Sequence, residues 1–205
     1  MHENDQMTGL RVIRYADTVT TRWKNGLGES RLVTRSPGDG EDFDWQISLA
    51  SMSGTLPFSE YPGVDRTLFV IGGDSLRIQS PIRDTVLTSD GAGLEFDGSE
   101  KIVGTVVGSG EMNDFNVLSR QGNVRHKANR TRVSPEVIVH PVKDLTIVFV
   151  QSGSAEVRYC GATASLADGD TAIVGRIAET DICVAGDNAV CIITDIERVV
   201  FRNPL

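Results

Sequence analysis

Leu68 to Ile78 reads LFVIGGDSLRI, and Ile147 to Tyr159 reads IVFVQSGSAEVRY. In each, a Phe-Val pair (Phe69-Val70, Phe149-Val150) is followed three residues later by glycine, Gly73 or Gly153. Each copy then enters a second strand-like run that ends Arg77-Ile78 or Arg158-Tyr159. The two glycines stand 80 positions apart. Leu87 follows the first copy and Leu166 the second, where it opens LADGD (Leu166–Asp170). An apolar run, a glycine turn and a second run make a hairpin signature, so Gly72–Asp74 is predicted to be a turn. Recurrence of the whole pattern indicates an internal duplication. Chance likeness of two hairpins is the competing reading.

The surrounding sequence is of the same kind. DWQISLASM (Asp44–Met52) alternates, with Trp45, Ile47 and Leu49 on one face and Gln46, Ser48 and Ala50 on the other, the period of a two-faced strand. Further short runs, from DFNVLSR (Asp114–Arg120) to AVCIITDIERVVF (Ala189–Phe201), are divided by a share of the 21 glycines, and long helical periodicity is almost absent. Many short strands at close spacing predict an all-β barrel or sandwich. The duplicated hairpins with a Leu-x-x-Gly-Asp turn are common in cupin domains. The predicted fold is therefore all-β, a bicupin: two cupin-type β-barrels or sandwiches in one chain. The expected division is 1–122 and 123–205, with strands exchanged between the halves. QGNVRHKANRTRVSPE (Gln121–Glu136) reads as the connection, a solvated basic linker or edge strand.

The length of 205 residues suits one large domain or two small ones. A net charge of -8 argues against nonspecific nucleic-acid binding, which needs a basic surface. It leaves room for a small anion held by one local arginine. No apolar run approaches the ~20 residues that span a bilayer, so no membrane partner is expected. The first residues, MHENDQMTG, lack an apolar signal core, and the expected location is cytoplasmic. Cys160, Cys183 and Cys191 show no CxxC spacing and read as buried free thiols in a reducing compartment.

The chemistry-bearing residues narrow the function by elimination. A metal-dependent cupin needs several imidazoles and a carboxylate converging on one ion. The three histidines, His2, His126 and His140, form no His-x-His pair and follow neither hairpin glycine, so no metal or other cofactor is expected. TRWKNGLGES (Thr21–Ser30) holds Gly-x-Gly but no GxGxxG, and the chain has no GxxxxGK[ST] or GxSxG. No catalytic residue is assigned. What remains is a polar pocket. Gln46 and Ser48 face inward if the polar face of their strand lines a barrel. The Pro62-Gly63 turn delivers Asp65-Arg66, and Arg66 suits bidentate binding of a carboxylate; an Asp65–Arg66 surface pair is the alternative. Asp114 and Asn116 share one strand face, with Phe115 on the other.

Four stretches then occur in order: Trp-Lys-Asn-Gly-x-Gly (Trp23–Gly28), Phe-Asp-Trp-x-Ile-Ser (Phe43–Ser48), Pro-Phe-Ser-x-Tyr-Pro-Gly-Val-Asp-Arg-Thr-Leu (Pro57–Leu68) and Asp-Phe-Asn-Val-Leu-x-Arg-x-Gly (Asp114–Gly122). This set resembles the HutD/Ves family. It covers the first 122 residues densely, while the second half is similar only in its β pattern. The resemblance implies a bicupin without a catalytic metal. It also implies a role in histidine utilisation, with a pathway intermediate such as formylglutamate or urocanate bound to limit pathway activity; Ves-like relatives are tied to stress responses of unknown chemistry. The family motif positions imply ligand-binding roles for Trp23, Asn25, Gly26, Gly28, Ser48, Arg66, Asp114 and Asn116. Two departures stand out. The family's first motif continues Gly-Gly-Gly-x-Thr-x-Glu, whereas this chain has Leu27 at the middle glycine, Ser30 at the threonine and Leu32 at the glutamate.

The expected function is thus a metal-free sensor or regulator that binds a small carboxylate. A turn at Asn25-Gly26 is expected to close over the barrel mouth, with Trp23 as packing anchor and Asn25 as a polar contact. One alternative is a metal-independent isomerase or hydrolase using Asp114 or Glu29 as base. Another is an interaction protein with a solidly packed barrel. Barrels of this type often pair sheet to sheet, so a homodimer is also an expectation.

Overall fold

The computed structural model describes residues 9–23, 26–37, 42–140 and 144–199. Its elements are almost all strands: β1 (Gly9–Ile13), β2 (Thr20–Arg22), β3 (Gly28–Ser36), β4 (Trp45–Met52), β5 (Thr55–Pro57), β6 (Val64–Ser80), β7 (Arg83–Leu87), β8 (Leu94–Asp97) and β9 (Val103–Arg120). Then follow β10 (Val124–Val133), β11 (Glu136–Val139), β12 (Leu145–Ser152), β13 (Ala155–Tyr159), β14 (Ala162–Leu166), β15 (Thr171–Gly175), β16 (Ile182–Gly186) and β17 (Ala189–Arg198). Among the described residues the helical element is a single 3-10 turn, Tyr15–Asp17, and no helix is long and apolar enough to cross a membrane.

Two compact units divide the chain: Thr18–Gln121, and Met1–Asp17 together with Gly122–Leu205. The first is one extended sheet in the order β2-β3-β4-β9-β6-β7, with β5 added to β9 and β8 to β6. Its core gathers Met52, Leu68, Leu76, Ile78, Phe96 and Met112. The second holds two sheets, β1-β15-β12-β17-β10 and β11-β16-β13-β14, around Val148, Val150, Val157, Val184 and Cys191. All pairings are antiparallel.

The division differs from the sequence boundary at its N-terminal end. β1 pairs with β15 rather than with the first unit, and its Leu10 and Val12 pack against the second unit's core. Asp170 of LADGD fixes this placement. It accepts hydrogen bonds from Arg14 Nη1 (2.7 Å), the Tyr15 N–H (3.0 Å) and the Ala167 N–H (3.1 Å). Against the upward push of burial, these bonds hold its carboxyl below the usual range. The basic segment after Gln121 is strand β10, which among the described residues is an edge strand paired to β17.

The duplicated hairpins share an irregularity that the pattern did not predict. Gly72–Asp74 is not a turn: β6 runs unbroken for 17 residues and absorbs the glycines as bulges against β9. One bulge falls between Val70 and Gly72, and β12 carries its counterpart between Val150 and Ser152, 80 positions on. Gly73 and Gly153 both adopt left-handed φ, 74° and 87°, where a Cβ is disfavoured. The buried-thiol reading holds only for Cys191; Cys160 is exposed at the β13–β14 turn, and Cys183 is half-buried beside Arg158 (3.0 Å) and Glu136 (3.3 Å).

A Cβ on Gly73 would lie 2.1 Å from the Glu111 carbonyl oxygen, whereas one on Gly122, also at positive φ, meets nothing within 4 Å. Gly122→Ala is expected to cost about 1–2 kcal/mol from backbone conformation alone, and Gly73→Ala clearly more. Urea unfolding of the two variants checks the order.

Candidate functional site

The polar face of β4 decides where the site lies. Trp45, Ile47 and Leu49 are buried on one side of the sheet, while Gln46, Ser48, Ala50 and Met52 line a cavity of about 590 Å³ on the other. Strand register brings further residues to the same wall. Ser48 pairs with Asn116 and Ala50 with Asp114 on β9; Leu32 and Ser30 of β3 pair with Ser48 and Ala50. The segment from Leu56 to Tyr61 adds Phe58, Ser59 and Tyr61. All of these belong to the Thr18–Gln121 unit.

Arg66 dominates the site. Asp65 and Arg66 are adjacent on β6 and so face opposite sides. Asp65 is exposed and accepts from Gln121, whereas Arg66 is buried and lines the cavity; the surface-pair alternative is thereby replaced. Nη2 of Arg66 donates to Asn116 Oδ1 at 3.0 Å and Nη1 to the Ser59 carbonyl at 3.2 Å, but Nε has no partner among the described residues. The guanidinium carbon stands 4.8, 5.4 and 5.7 Å from the ring centres of Phe96, Tyr61 and Phe58, a cation–π surround. Burial lowers its pKa, opposed by Tyr61 and Asp114; an arginine stays charged regardless.

Asp114 is 3% exposed. Burial pushes its carboxyl up to about 7, although Arg66, the Asn116 side chain and the Ala50 N–H all favour the ionised form. Asn116 links the two groups: its Nδ2 donates to Asp114 Oδ1 while its Oδ1 accepts from Arg66. The expected placement of Asp114 and Asn116 together, with Phe115 fully buried on the opposite face, is what the strand provides.

Of the residues expected to bind ligand, Trp23, Ser48, Arg66, Asp114 and Asn116 converge on this cavity. Gly26 and Gly28 are not on its wall. The Gly26 N–H donates to the Trp23 carbonyl (3.0 Å) and the Trp23 N–H to the Gly28 carbonyl (2.9 Å), closing the turn. A Cβ on Gly28 would stand 2.5 Å from the Trp23 ring, so this glycine lets the indole pack. Asn25 lies outside the described residues. Glu29 pairs with Ser51 and, unlike its neighbour Ser30, does not line the cavity, which removes it as a base acting there. Sequence reading missed Arg35, Phe58 and Tyr61. The two aromatics lie inside the third quoted stretch, whose density of identities was the available signal. Arg35 gave none: a bulge between Leu32 and Thr34 re-aims the strand, so residues three apart, Leu32 and Arg35, both reach the cavity.

His126 lies on β10 and His140 beside Asp181 (3.4 Å), both in the other unit. Apolar side chains including Val148, Val150, Val157 and Val184 make up that unit's core, and a hollow beside Tyr159 measures about 10 Å³.

Protein Ves of Escherichia fergusonii is 30% identical over 132 residues, 64% of this chain and 67% of that protein. An uncharacterized 21.2 kDa protein in the hutC 3' region of Pseudomonas putida is 28% identical over 159 residues, 76% of this chain and 80% of that protein. The structure of HutD from Pseudomonas fluorescens SBW25 in a formate condition is similar at a TM-score of 0.82 and 22% identity, over 93% of this chain and 100% of that one. Oxalate decarboxylase from Lactobacillus farciminis is similar at a TM-score of 0.63 and 9% identity, over 95% of this chain and 86% of that one; such likenesses carry the fold alone, and the fold is a bicupin. The HutD family pattern matches residues 15–192, and this chain belongs to the HutD family.

Proposed function

We propose that this protein binds a small carboxylate in the first unit's cavity, without a metal ion, and acts in the cytoplasm as a sensor or regulator of histidine utilisation. One observation carries the reading: Arg66 is a buried cation whose Nε–H is unspent among the described residues, on the wall of a cavity. An arginine held out of water with spare donors favours a planar anion. The nearest carboxyl does not cancel that charge below neutral pH, because Asp114 is held up to about 7. A ligand carboxylate therefore meets a net positive site. Family membership and the position of the Pseudomonas putida relative beside hutC support the pathway assignment, and formylglutamate and urocanate are the ligands it points to.

A second reading is favoured by Asp114 itself. A carboxyl near 7 on a cavity wall is poised for general acid–base work. Nuclear magnetic resonance of ligand mixed with protein separates the two: ligand recovered unchanged supports binding, and conversion beyond one equivalent supports catalysis.

Calorimetric titration with formylglutamate, urocanate, histidine and formate is expected to show binding by at least one carboxylate. Arg66→Gln is expected to weaken it roughly 10- to 100-fold. Silence from all four would remove the reading. Formate affinity is expected to fall as pH rises through about 7, where Asp114 ionises, and to lose that step in Asp114→Asn.

Asp114 also predicts a pH signature in stability. Its folded value, about 7, lies above the ordinary 3.8, so between these limits the folded chain keeps a proton that the unfolded chain has released. Stability from this group is full below the lower value and is lost as pH rises to the upper. Relative to Asp114→Asn, the native protein is expected to lose stability from about pH 4 to about pH 7 and then level off, as read by thermal melts across that window.

A further inference from the structure

We infer that the segment from Pro57 to Gly63 is a strap closed over Arg66, and that it parts from the sheet to admit a carboxylate to the Nε edge of the guanidinium. The inference rests on the carboxylate-binding reading of the same site and concerns how that site is reached.

The starting point is a mismatch. Arg66 lines a cavity of about 590 Å³, yet its Nε is buried and has no hydrogen-bond partner among the described residues. A buried N–H left without an acceptor is costly, and native folds keep few of them. Nε is also the donor that a carboxylate uses, with a neighbouring Nη, to form two parallel bonds along the side of the planar guanidinium. The donor best suited to an anion is therefore sealed in this conformation, and whatever seals it has to move.

Three rings surround the guanidinium, those of Phe96, Tyr61 and Phe58. Phe96 stands on β8 directly opposite Arg66 in the strand pairing and belongs to the first unit's core. It cannot leave without parting two strands. Tyr61 and Phe58 are half-buried and lie on the connection between β5 and β6. Ser59 and Glu60, between them, are exposed, and the Ser59 carbonyl accepts from Nη1. The strap thus lays two rings and one carbonyl against the cation.

Two backbone hydrogen bonds tie the strap down. The Phe58 N–H donates to the Ile102 carbonyl (2.9 Å) and the Tyr61 N–H to the Gly98 carbonyl (2.7 Å). Glycine permits the close approach at both places: a Cβ on Gly104 would stand 2.5 Å from the Phe58 ring, and one on Gly98 2.4 Å from the Tyr61 carbonyl oxygen. These are few contacts beside the ladders that hold β6 between β8 and β9, so the strap opens before the sheet does. An arriving carboxylate gives Nε the acceptor it lacks. The strap's return then holds water away from the pair and strengthens it.

Hydrogen exchange at the Arg66 Nε–H, read by nuclear magnetic resonance, tests the seal without a ligand; Arg66→Lys identifies the signal. In the native chain, exchange is expected to be about tenfold or more slower than at the exposed Arg22. Phe58→Ala and Tyr61→Ala each remove one ring of the strap. In at least one of them exchange at Nε–H is expected to quicken about tenfold, while the backbone amides of Phe115 and Val117 on β9 keep their rates. Ile82→Ala, at an exposed position, is expected to change nothing. Thermal melts verify that each variant is folded, and Phe58→Leu or Tyr61→Leu replaces one that is not. Native exchange as fast as at Arg22, no quickening in either folded strap variant, or quickening shared by the β9 amides would overturn the inference. Excess formate is expected to slow the native Nε–H exchange. An unchanged rate in a chain that calorimetry shows to bind formate would overturn the inference and leave the carboxylate reading standing. Absence of binding by all four compounds titrated above, with exchange as expected, would remove the carboxylate reading and leave the strap as a seal over Arg66.

Discussion

A buried arginine is the constraint around which the first unit is organised. Removing a guanidinium from water is costly unless its surroundings replace the lost hydration. Here the replacement is assembled from four kinds of group: a side-chain amide on β9, a carbonyl from the segment before β6, three aromatic faces, and a carboxyl two residues from the amide. None of these is a full counter-charge at short range. Asp114 is hydrogen-bonded to Arg66 through Asn116, and burial keeps its own proton on up to about pH 7. A direct ion pair would have closed the site electrostatically. The relay through an amide leaves the cation under-compensated on the cavity wall.

The β architecture places these groups with little additional machinery. Alternation on β4 and β9 puts Ser48, Asn116 and Asp114 on one face and Ile47, Phe115 and Val117 on the other. Burying the apolar face leaves the polar face no choice but the cavity. The third motif then supplies both Arg66 and the aromatic residues that stand over it, Phe58 and Tyr61. Its Pro62-Gly63 turn, with Gly63 at a φ of 73°, reverses the chain so that a residue only a few positions away in sequence lies over the guanidinium.

Period-two alternation made much of this legible in advance, and its failures are equally physical. Asp114 and Asn116 could be placed together because nothing interrupts β9 between them. Arg35 could not, since a single extra residue at the β3 bulge reverses which side chains face inward. Gly72–Asp74 looked like a turn because glycine and aspartate dominate turns; a bulged strand makes the same demand for a positive φ, and only the continuing partner β9 distinguishes them. Gly28 was read as a ligand contact, but its need is a close approach to the Trp23 ring, which no local pattern reveals. Exchange of strands between the halves was expected, but that β1 is a strand that crosses was not legible, for a similar reason. Its docking depends on Asp170, 156 positions from Arg14.

Matched inward positions of the two units carry different chemistry. With the shared Phe-Val anchors aligned at 80 positions, Arg66, Leu68 and Val70 correspond to Thr146, Val148 and Val150. Across the strand pair, β9 faces the first set with Leu118, Asn116 and Asp114, and β17 faces the second with Asp195, Ile193 and Cys191. The same lattice positions that hold an arginine, an amide and a carboxyl in one unit hold a threonine, an isoleucine and a thiol in the other. Thr146 satisfies Asp195 directly at 3.1 Å, and Val148, Val150, Cys191 and Ile193 pack into the core. Burial acts alike on the matched pair of titratable groups, raising the Asp114 carboxyl to about 7 and the Cys191 thiol to about 11. In the first unit that shift brings a proton into the physiological range. In the second it keeps the thiol protonated and inert. The scaffold is common to both units; at matched inward positions the first carries an arginine, an amide and a carboxyl on a cavity wall, and the second a threonine, an isoleucine and a thiol.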